Sequence, residues 1–432
     1  MVLFKIILYC SVASAAQYKA ILSSGSGNLH DINPLHYGAI GDGVSDDTAA
    51  LQRSFKVCSE KGLICILPKN KVFLVLKPLF IWGGANIAGE DATAVIKFNV
   101  TSSPYLLNLG ISGRNKIEQP FSGKISNIKF KIVGGNGGRI IFLWRTQSAS
   151  IVNNVFDVGR YAYSATSSGN NNNWLKNGFK NSIRKNITIK HNTILAKVNN
   201  IGSEGIGLGH FDGAIISDNS IIGVGDDPIG IHFSTNIKIY NNKMKSVDGR
   251  LFVANSRNVD IVGNVHERIA SLMNNKFYRG ISLLYIGFEH LGKKNNFSAP
   301  VNINVQDNVL HYPEGAIDAG AAIYIYGPRN VNIERNNIIN DSNLVTASAI
   351  HLLPAPFSEK WTDPGNIDEF NIARVWDISI SNNISAGTFP QKMIMTGNCV
   401  DYVGKVLISD NLAKDYQFYC PKVEKMRNKK IY

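Results

Sequence analysis

The sequence lacks several features that membrane-spanning, coiled-coil and zinc-binding proteins need. Beyond its N-terminus it has no run of about 18 apolar residues, so the mature chain is expected to have no membrane partner. Charged residues make up only 18% of the chain, which is too few for a coiled coil. Its five cysteines form no CxxC pair and no Cys/His zinc spacing, and no metal site is predicted.

Acidic residues are scarce relative to basic ones. Lys and Arg number 45 against 32 Asp and Glu, which gives a formal net charge of +13 and a pI of about 9.3. This excess favours a polyanionic partner such as nucleic acid, anionic lipid or an acidic polysaccharide. The basic residues are scattered, with clusters at 176–190 and 422–430, and no nucleic-acid recognition motif accompanies them. We therefore expect no nucleic-acid partner.

The composition instead favours turns and strands. The chain has 48 asparagines and 39 glycines, residues that are poor in helix interiors and common at turns. Its hydrophobic fraction of 44% is too high for a disordered protein. A large helical protein and a disordered chain are both excluded.

Residues 1–15 have the pattern of a cleaved signal peptide: a basic start, a short apolar run and a small-x-small site. The alternative is a buried N-terminal strand. The signal peptide predicts a secreted protein, extracellular or periplasmic. Its removal leaves an even number of cysteines, as an oxidising compartment favours. Three disulfide pairings, or buried free thiols, remain open for Cys58, Cys65, Cys399 and Cys420.

A short strand that ends in asparagine recurs along the chain, as in Asn186–Asn192 and Asn236–Asn242. The intervals are about 22 to 28 residues, or nearly double that where an insertion intervenes. The closing asparagines stand at 154, 192, 219, 242, 264, 308, 336, 383 and 411. Strands of a second type lie between them at Gly205–Leu208, Pro228–Ile231, Arg250–Val253, Gly280–Leu283, Ala322–Ile325 and Ala349–Leu352.

A period with two or more strands and no helix fits a parallel β-helix. Its coils would stack about 4.8 Å apart, with each asparagine at a bend, bonded to the asparagine of the next coil. A helix over Asp46–Lys61, closed by Gly62, is expected to cap the N-terminal end. The predicted segments are a β-helix domain at 16–414 with its cap at about 35–70, a basic tail at 415–432, and loops at 160–185, 286–300 and 354–374.

The opening of the chain resembles that of the pectate lyase superfamily, in its rhamnogalacturonase/epimerase-like form. Leu35–Gln52 matches the pattern GA-GDG-DDT-A-Q, and Ile64–Pro68 begins the strand that follows, although residues 69–73 replace its usual Gly and Tyr. The resemblance implies an all-β, single-stranded right-handed parallel β-helix (a solenoid) with an N-terminal capping helix. It also implies polysaccharide binding on the outer face. Members of this superfamily hydrolyse, eliminate, epimerise or merely bind, so the site must decide the function.

Polar residues precede the inward positions of the second strand type. Aligning Ile206, Ile229, Leu251 and Ile281 predicts one ridge that contains Glu204, Asp226, Asp227, Asp248, Arg250 and Arg279. His232 and His210 follow at the far edge of the same strands, and Tyr324 extends the ridge.

Glycoside hydrolysis needs two carboxyl groups, one protonated and one ionised, and stacked carboxylates drive their pKa values apart. We therefore assign Asp227 as the catalytic acid, with Asp226 or Glu204 as the base. The residues expected to bind substrate are Asp248, Arg250, Arg279, His232 and Tyr324. The arginines would hold substrate carboxylates. A turn-forming role for Gly-Asp-Asp-Pro is the alternative.

Gly225–Ile231 also resembles the GDDC-I-I motif of glycoside hydrolase family 28 polygalacturonases, in which the paired aspartates are catalytic. The departures are Gly202-Ser203-Glu204 for NTD, Asp248-Gly249-Arg250 for GHG, and Arg279–Ser282 for RIK. The family's histidine and substrate lysine are therefore missing. The resemblance favours a relative that acts on a different sugar by a similar acid/base scheme.

Several functions remain open. The first is a secreted glycoside hydrolase that acts on an acidic, uronate-containing polysaccharide without a cofactor. The second is a polysaccharide lyase or uronate epimerase on the same face, with Arg250, Arg279 or His232 as base and calcium held by stacked aspartates if it is a lyase. The third is a non-catalytic carbohydrate-binding or tailspike-like β-helix, and the protein would be a monomer or a trimer.

Overall fold

The computed structural model describes most of the chain between residues 31 and 411. The described ranges are 31–111, 119–135, 138–159, 162–168, 184–196, 204–247, 249–269, 282–287, 300–316, 321–327, 329–345, 348–353, 375–387, 389, 394–396 and 403–411. The predicted signal peptide, the basic tail, Cys399 and Cys420 lie outside these ranges.

The described strands form three parallel sheets, here named A, B and C in the order in which each coil visits them. Sheet A consists of Asp31–Ile32, Ile64–Leu67, Asn86–Gly89, Lys124–Ser126, Thr146–Val152, Arg184–Lys190, Phe211–Ser217, Thr235–Tyr240, Arg257–Val262, Val301–Gln306, Arg329–Glu334, Val375–Ser381 and Val403–Ser409. Sheet B consists of Asp42–Asp46, Val72–Val75, Val95–Val100, Lys129–Gly135, Val155–Gly159, Thr193–Ala196, Ser220–Val224, Lys243–Ser246, Val265–Arg268, Val309–Tyr312, Asn337–Asn340 and Ile384–Gly387. Sheet C consists of Leu79–Ile81, Tyr105–Leu109, Gly138–Leu143, Ala162–Ser167, Glu204–Gly209, Ile229–His232, Leu251–Ala254, Leu284–Gly287, Ile323–Tyr326, Ile350–Leu353 and Ile394–Thr396.

The predicted parallel β-helix is therefore confirmed. Alternate residues of each strand point inward and stack in register from coil to coil, as Ile216, Ile239, Ile261 and Val305 do in sheet A. All four are fully buried. Burying a Val or Ile side chain contributes about 1.5–3 kcal/mol, so the repeated apolar columns hold the coils together.

The predicted asparagine ladder runs along the bend between sheets A and B. Asn219 Nδ2 donates to Asn242 Oδ1 at 2.9 Å, and the backbone N–H of Asn219 donates to the same oxygen at 3.1 Å. The residue before each ladder asparagine turns the chain with positive φ, for example Asp218 at 56° and Asn241 at 55°. The bonded ladder runs through Asn154, Asn192, Asn219, Asn242, Asn264, Asn308, Asn336, Asn383 and Asn411.

A 3-10 helix, Pro34–Tyr37, and one α-helix, α1 (Thr48–Lys61), form the N-terminal cap. The prediction started α1 two residues too early, because the Asp46 carboxylate accepts from the Thr48 backbone N–H instead of joining the helix. Gly62 ends α1 with a φ of 65°, as expected. Buried side chains of α1 cover the open first coil, and a Cys58–Cys65 disulfide ties the helix to sheet A.

The opening motif that carries the family resemblance is structural. The buried Asp47 carboxylate accepts from the Ile40 and Gly41 backbone N–H groups at 2.6 and 3.1 Å. The Gln52 side-chain amide both donates to and accepts from the Phe80 backbone, so α1 satisfies the edge of sheet C. The motif thus closes the end of the solenoid, and the chemistry must be sought elsewhere.

The loop predictions were partly wrong. Ala162–Ser167 and the start of Arg184–Lys190 are strands within the predicted loop at 160–185. The end of Leu284–Gly287 likewise enters the predicted loop at 286–300. Residues 354–374 lie outside the described ranges. In the described part of the chain, no helix is long and apolar enough to cross a membrane.

Candidate active site

Sheet C places the predicted acidic residues on neighbouring coils. Ile206, Ile229 and Leu251 pair in register, as predicted. The next coil departs from the prediction, because Leu284 pairs with Leu251 where Ile281 was expected. The outward column of sheet C then reads Ser167, Gly207, Gly230, Phe252, Tyr285, Tyr324 and His351.

Two successive glycines in this column, Gly207 and Gly230, leave a floor without side chains. A Cβ added to Gly207 would lie 2.7 Å from Glu204 Oε2. A Cβ added to Gly230 would lie 3.2 Å from His232 Nε2 and 3.7 Å from Asp227 Oδ2. The glycines therefore let polar side chains from two coils reach over the sheet and occupy the space that larger residues would fill.

Asp227 is the central group of this site. Its carboxyl is buried, with 7% of the residue exposed, whereas Asp226 is exposed. Burial raises the pKa of Asp227 to about 8, the Asp226 charge adds to the rise, and Arg250 and His232 oppose it. Asp227 is therefore largely protonated at neutral pH, with a proton available for transfer.

Arg250 lies between the acid and the aromatic side chains. Its Nε is 3.4 Å from Asp227 Oδ1. Its guanidinium carbon lies 4.3 Å from the Phe252 ring centroid and 4.7 Å from that of Tyr285. These cation–π contacts hold the guanidinium over the two rings, beside the Asp227 carboxyl.

The turn that carries Arg250 rests on a buried polar network. Arg268 donates to the Gly249 carbonyl at 2.8 Å, and Ser246 Oγ lies 2.8 Å from His266 Nε2. His266 Nδ1 faces the Leu283 carbonyl at 2.9 Å, and because a carbonyl only accepts, Nδ1 carries the proton. Burial lowers the pKa of His266 to about 3. Ser246 Oγ donates its proton to the Gly249 carbonyl at 2.8 Å, so this buried network holds the turn before Arg250.

Aromatic rings continue from the site toward the C-terminal coils. Ring centroids lie 5.0 Å apart for His232 and Phe252, 5.0 Å for Phe252 and Tyr285, and 5.6 Å for Tyr285 and Tyr324. His351 follows at 5.2 Å from Tyr324. Phe252, Tyr285 and Tyr324 stack face to face, so their faces cover one another, and the partly exposed Tyr285 and Tyr324 border the surface.

A second aromatic group lies on sheet C toward the N-terminal coils. Tyr105 and Phe142 have ring centroids 4.1 Å apart, and Trp144 lies 4.9 Å from Phe142. The Trp144 indole donates to Asn108 Oδ1 at 2.8 Å. The glycine floor therefore lies between two aromatic groups on sheet C.

The structure brings together most of the residues predicted to form the ridge. Asp226, Arg250, His232 and Glu204 all lie close enough to Asp227 to shift its pKa, and Tyr324 lies two strands beyond Phe252. Asp248 and Arg279 lie outside the described residues, and the register argument for Arg279 is wrong because Leu284 holds the position assigned to Ile281. Burial lowers the pKa of His210 to about 3.

Sequence reasoning missed Gly207, Gly230, Phe252 and Tyr285. Phe252 alternates with buried Leu251 and Val253, a signal that was present in the sequence. The predicted register of this coil was wrong by three residues, and it therefore did not place Tyr285 in the outward column. Among the described residues, no group of three His, Cys, Asp or Glu side chains is placed to hold a metal ion.

Comparisons with known proteins identify the fold. No protein-family model and no curated protein matches this chain. Among solved structures, PfbA, a surface adhesin of Streptococcus pneumoniae, is similar with a TM-score of 0.57 and 13% identity, covering 88% of this chain and 91% of that one. The catalytic unit of a GH87 α-1,3-glucanase from Streptomyces thermodiastaticus has a TM-score of 0.53 and 13% identity over 91% and 70%.

The A-module of the mannuronan C-5 epimerase AlgE6 from Azotobacter vinelandii is also similar, with a TM-score of 0.51 and 15% identity, covering 90% of this chain and 97% of that one. The chain thus shares the parallel β-helix fold of these proteins. At these identities the similarity extends to the fold alone.

Proposed function

We propose that this protein is a glycoside hydrolase that cleaves an acidic, uronate-containing polysaccharide on sheet C. The observation that carries the proposal is the burial of the Asp227 carboxyl beside a glycine floor, which raises its pKa to about 8, with other carboxyl groups close by. A general acid must hold its proton at the working pH while its partner is ionised. Asp227 meets the first requirement because burial disfavours its charged form.

The other residues have distinct proposed roles. Asp227 gives its proton to the glycosidic oxygen as the bond to the anomeric carbon breaks. Asp226 or Glu204 acts as the carboxylate that activates water or stabilises the cationic sugar. Arg250, which carries a fixed positive charge, binds a substrate carboxylate. Tyr285 and Tyr324, which are partly exposed, border the neighbouring sugar rings.

Two of the similar structures support a polysaccharide substrate. One is named as an α-1,3-glucanase and another as a mannuronan epimerase. The basic net charge of +13 favours an acidic polysaccharide over a neutral one.

The test compares wild type with Asp227→Asn on polygalacturonate, alginate and hyaluronate, following reducing ends and unsaturated-uronate absorbance. We expect wild type to release reducing ends without absorbance, and the variant to lose at least ~100-fold in rate. Asp157→Asn is the matched control, since Asp157 lies on sheet B and pairs with Lys131. Unchanged turnover in Asp227→Asn would refute the assignment of the acid.

A lyase or uronate epimerase is the second candidate, favoured by the position of His232 and Arg250 beside the Asp227 carboxyl. In that reaction Asp227 and Arg250 would neutralise the substrate carboxylate, and His232 would remove the proton at C5. Absorbance that rises together with reducing ends identifies the lyase, and its loss with chelator identifies a calcium-dependent one. Solvent deuterium incorporated at C5 without cleavage identifies the epimerase.

A non-catalytic carbohydrate-binding protein is the remaining outcome. Binding of a polyuronate without cleavage, absorbance or exchange would support it. The acidic residues of the site would then serve turn formation and ligand recognition.

A further inference from the structure

Sheet A carries a groove on a different face from the candidate active site. It encloses about 420 Å³ and crosses four consecutive coils. Two parallel rows of polar side chains line it, separated by two residues along each strand. Neither row belongs to sheet C, so the groove has no part in the proposed reaction.

The first row is a chain of exposed asparagine amides. Each has positive φ, between 51° and 59°. Each Nδ2 donates to the Oδ1 of the preceding coil at 2.7–3.1 Å, and the first donates to Asp212. An amide has two N–H donors and two lone pairs, so each keeps hydrogen-bonding capacity beyond the row. The row consists of Asn236, Asn258, Asn302 and Asn330.

The second row lies in the middle of the strands. Before the groove, the same column of sheet A holds Ile64, Asn86, Lys124, Ser150, Thr188 and Ile215. Across the groove it holds Lys238, Asp260, Asn304 and Asn332. Asn332 Nδ2 donates to Asn304 Oδ1 at 3.1 Å, so amides join neighbouring coils in this row as they do in the first.

We propose that this groove is a second carbohydrate-binding site, one that takes a neutral oligosaccharide. Each hydroxyl of a sugar both donates and accepts, which matches the remaining capacity of an amide. The coils repeat about every 4.8 Å, close to the length of one pyranose unit, so successive sugars meet successive coils. Lys238 and Asp260 carry opposite charges, so the described lining is neutral overall and gives no preference for a polyuronate.

The contact chemistry predicts weak, additive binding. None of the described lining residues is aromatic, and Ile303 is the apolar residue among them. Affinity must therefore come from several hydrogen bonds made in competition with water, each worth little on its own. A site of this kind would hold the protein on a neutral stretch of a polymer and leave sheet C accessible. It does not depend on the proposed hydrolase activity.

The test uses cellohexaose, laminarihexaose and maltohexaose as probes, with tetragalacturonate as the acidic comparison. Saturation-transfer NMR and isothermal titration would measure binding to the full-length protein. We expect at least one neutral hexaose to bind and tetragalacturonate to leave the groove unoccupied. The double variant Asn304→Thr/Asn332→Thr keeps good strand residues, so it should fold normally and bind the hexaose at least tenfold more weakly.

Two controls separate the faces of the molecule. Ile215→Thr changes the same column outside the groove and should bind as wild type does. Asp227→Asn should also bind the hexaose unchanged, whatever its activity. The proposal is overturned if none of the three hexaoses binds, if the double variant binds as wild type does, or if Asp227→Asn alone abolishes binding.

Discussion

Asp227 occupies surroundings that favour its neutral form over its charged form. Most aspartates in proteins are ionised at pH 7, but this one is buried beside another carboxylate and only partly compensated by Arg250. The same environment governs both the proton it can donate and the stability of the fold. Each effect can be measured by changing one side chain.

The pH dependence of activity should show an alkaline limb near pH 8, where Asp227 loses its proton. Arg250→Gln removes a positive charge that lowers this pKa, so the limb should move to higher pH even as kcat/KM falls. The measurement is kcat/KM as a function of pH, from about pH 5 to about pH 10. Arg335→Gln, whose arginine pairs with Asp307, should leave the limb in place.

Stability should depend on pH through the same group. Between about pH 4 and about pH 8 the folded protein holds a proton on Asp227 that the unfolded chain has released. Folding therefore takes up a proton, and this contribution to stability declines as pH rises through that window. Thermal melts of Asp227→Asn should lack this component, whereas Asp157→Asn should retain it. If the melting temperatures of wild type and Asp227→Asn change with pH in the same way, Asp227 does not hold a buried proton.

At the scale of single elements, the buried asparagine ladder links neighbouring coils. Asn242 receives both a backbone and a side-chain hydrogen bond from Asn219 and donates to Asn264 and to the Ile216 carbonyl. Asn242→Ala leaves several of these groups buried without partners. We expect a loss of about 2–4 kcal/mol in the free energy of unfolding, measured by urea denaturation.

The adjacent residue provides the control for that experiment. Asn241 is exposed and has a φ of 55°, which glycine adopts without strain. Asn241→Gly should therefore change stability by less than about 1 kcal/mol. Equal losses in the two variants would show that the turn, and not the ladder, stabilises the bend.

The elements that sequence reasoning predicted were those with a repeat. The ladder asparagines and the inward isoleucines recur at each coil, so one mistaken coil does not disturb the rest. Ile281 failed as a marker because Leu284, three residues later, satisfies the same apolar requirement. An alternating apolar pattern does not show which of two adjacent apolar stretches forms the strand. The pairing between coils determines which residue takes the inward position.

The candidate site was predictable in its charges but not in its shape. Glu204, Asp226, Asp227 and Arg250 could be aligned because they precede recognised strands. Gly207 and Gly230 carry no chemistry of their own, and their importance appears only when Glu204 and His232 are seen to occupy the space above them. Burial of Asp227 likewise depends on contacts between coils that no local pattern records.

At the scale of the whole molecule, charge and shape act on different ligands. The net charge of +13 attracts polyanions over the whole surface, whereas the groove on sheet A has a neutral described lining. Salt screens attraction between exposed charges, with a Debye length that falls from about 10 Å at 0.1 M to about 3 Å at 1 M. The two proposed ligands should therefore respond differently to ionic strength.

Binding of a polyuronate to Asp227→Asn should weaken at least several-fold as sodium chloride is raised, while binding of a neutral hexaose should change little. Isothermal titration with both ligands over one salt series would measure this. Salt-independent polyuronate binding would show that the overall charge contributes nothing, and that Arg250 and its neighbours account for recognition.

The asparagine ladder also governs how such a chain can grow. Ladder neighbours are separated by 22 residues between Asn242 and Asn264 and by 44 between Asn264 and Asn308, yet their side-chain bonds measure 2.9 and 3.0 Å. Added residues between ladder positions thus leave the bonding intact. A duplicated coil would bring its own asparagine and extend all three sheets in register. Duplication of the gene segment that encodes a coil can therefore lengthen the ligand-binding faces of such a protein.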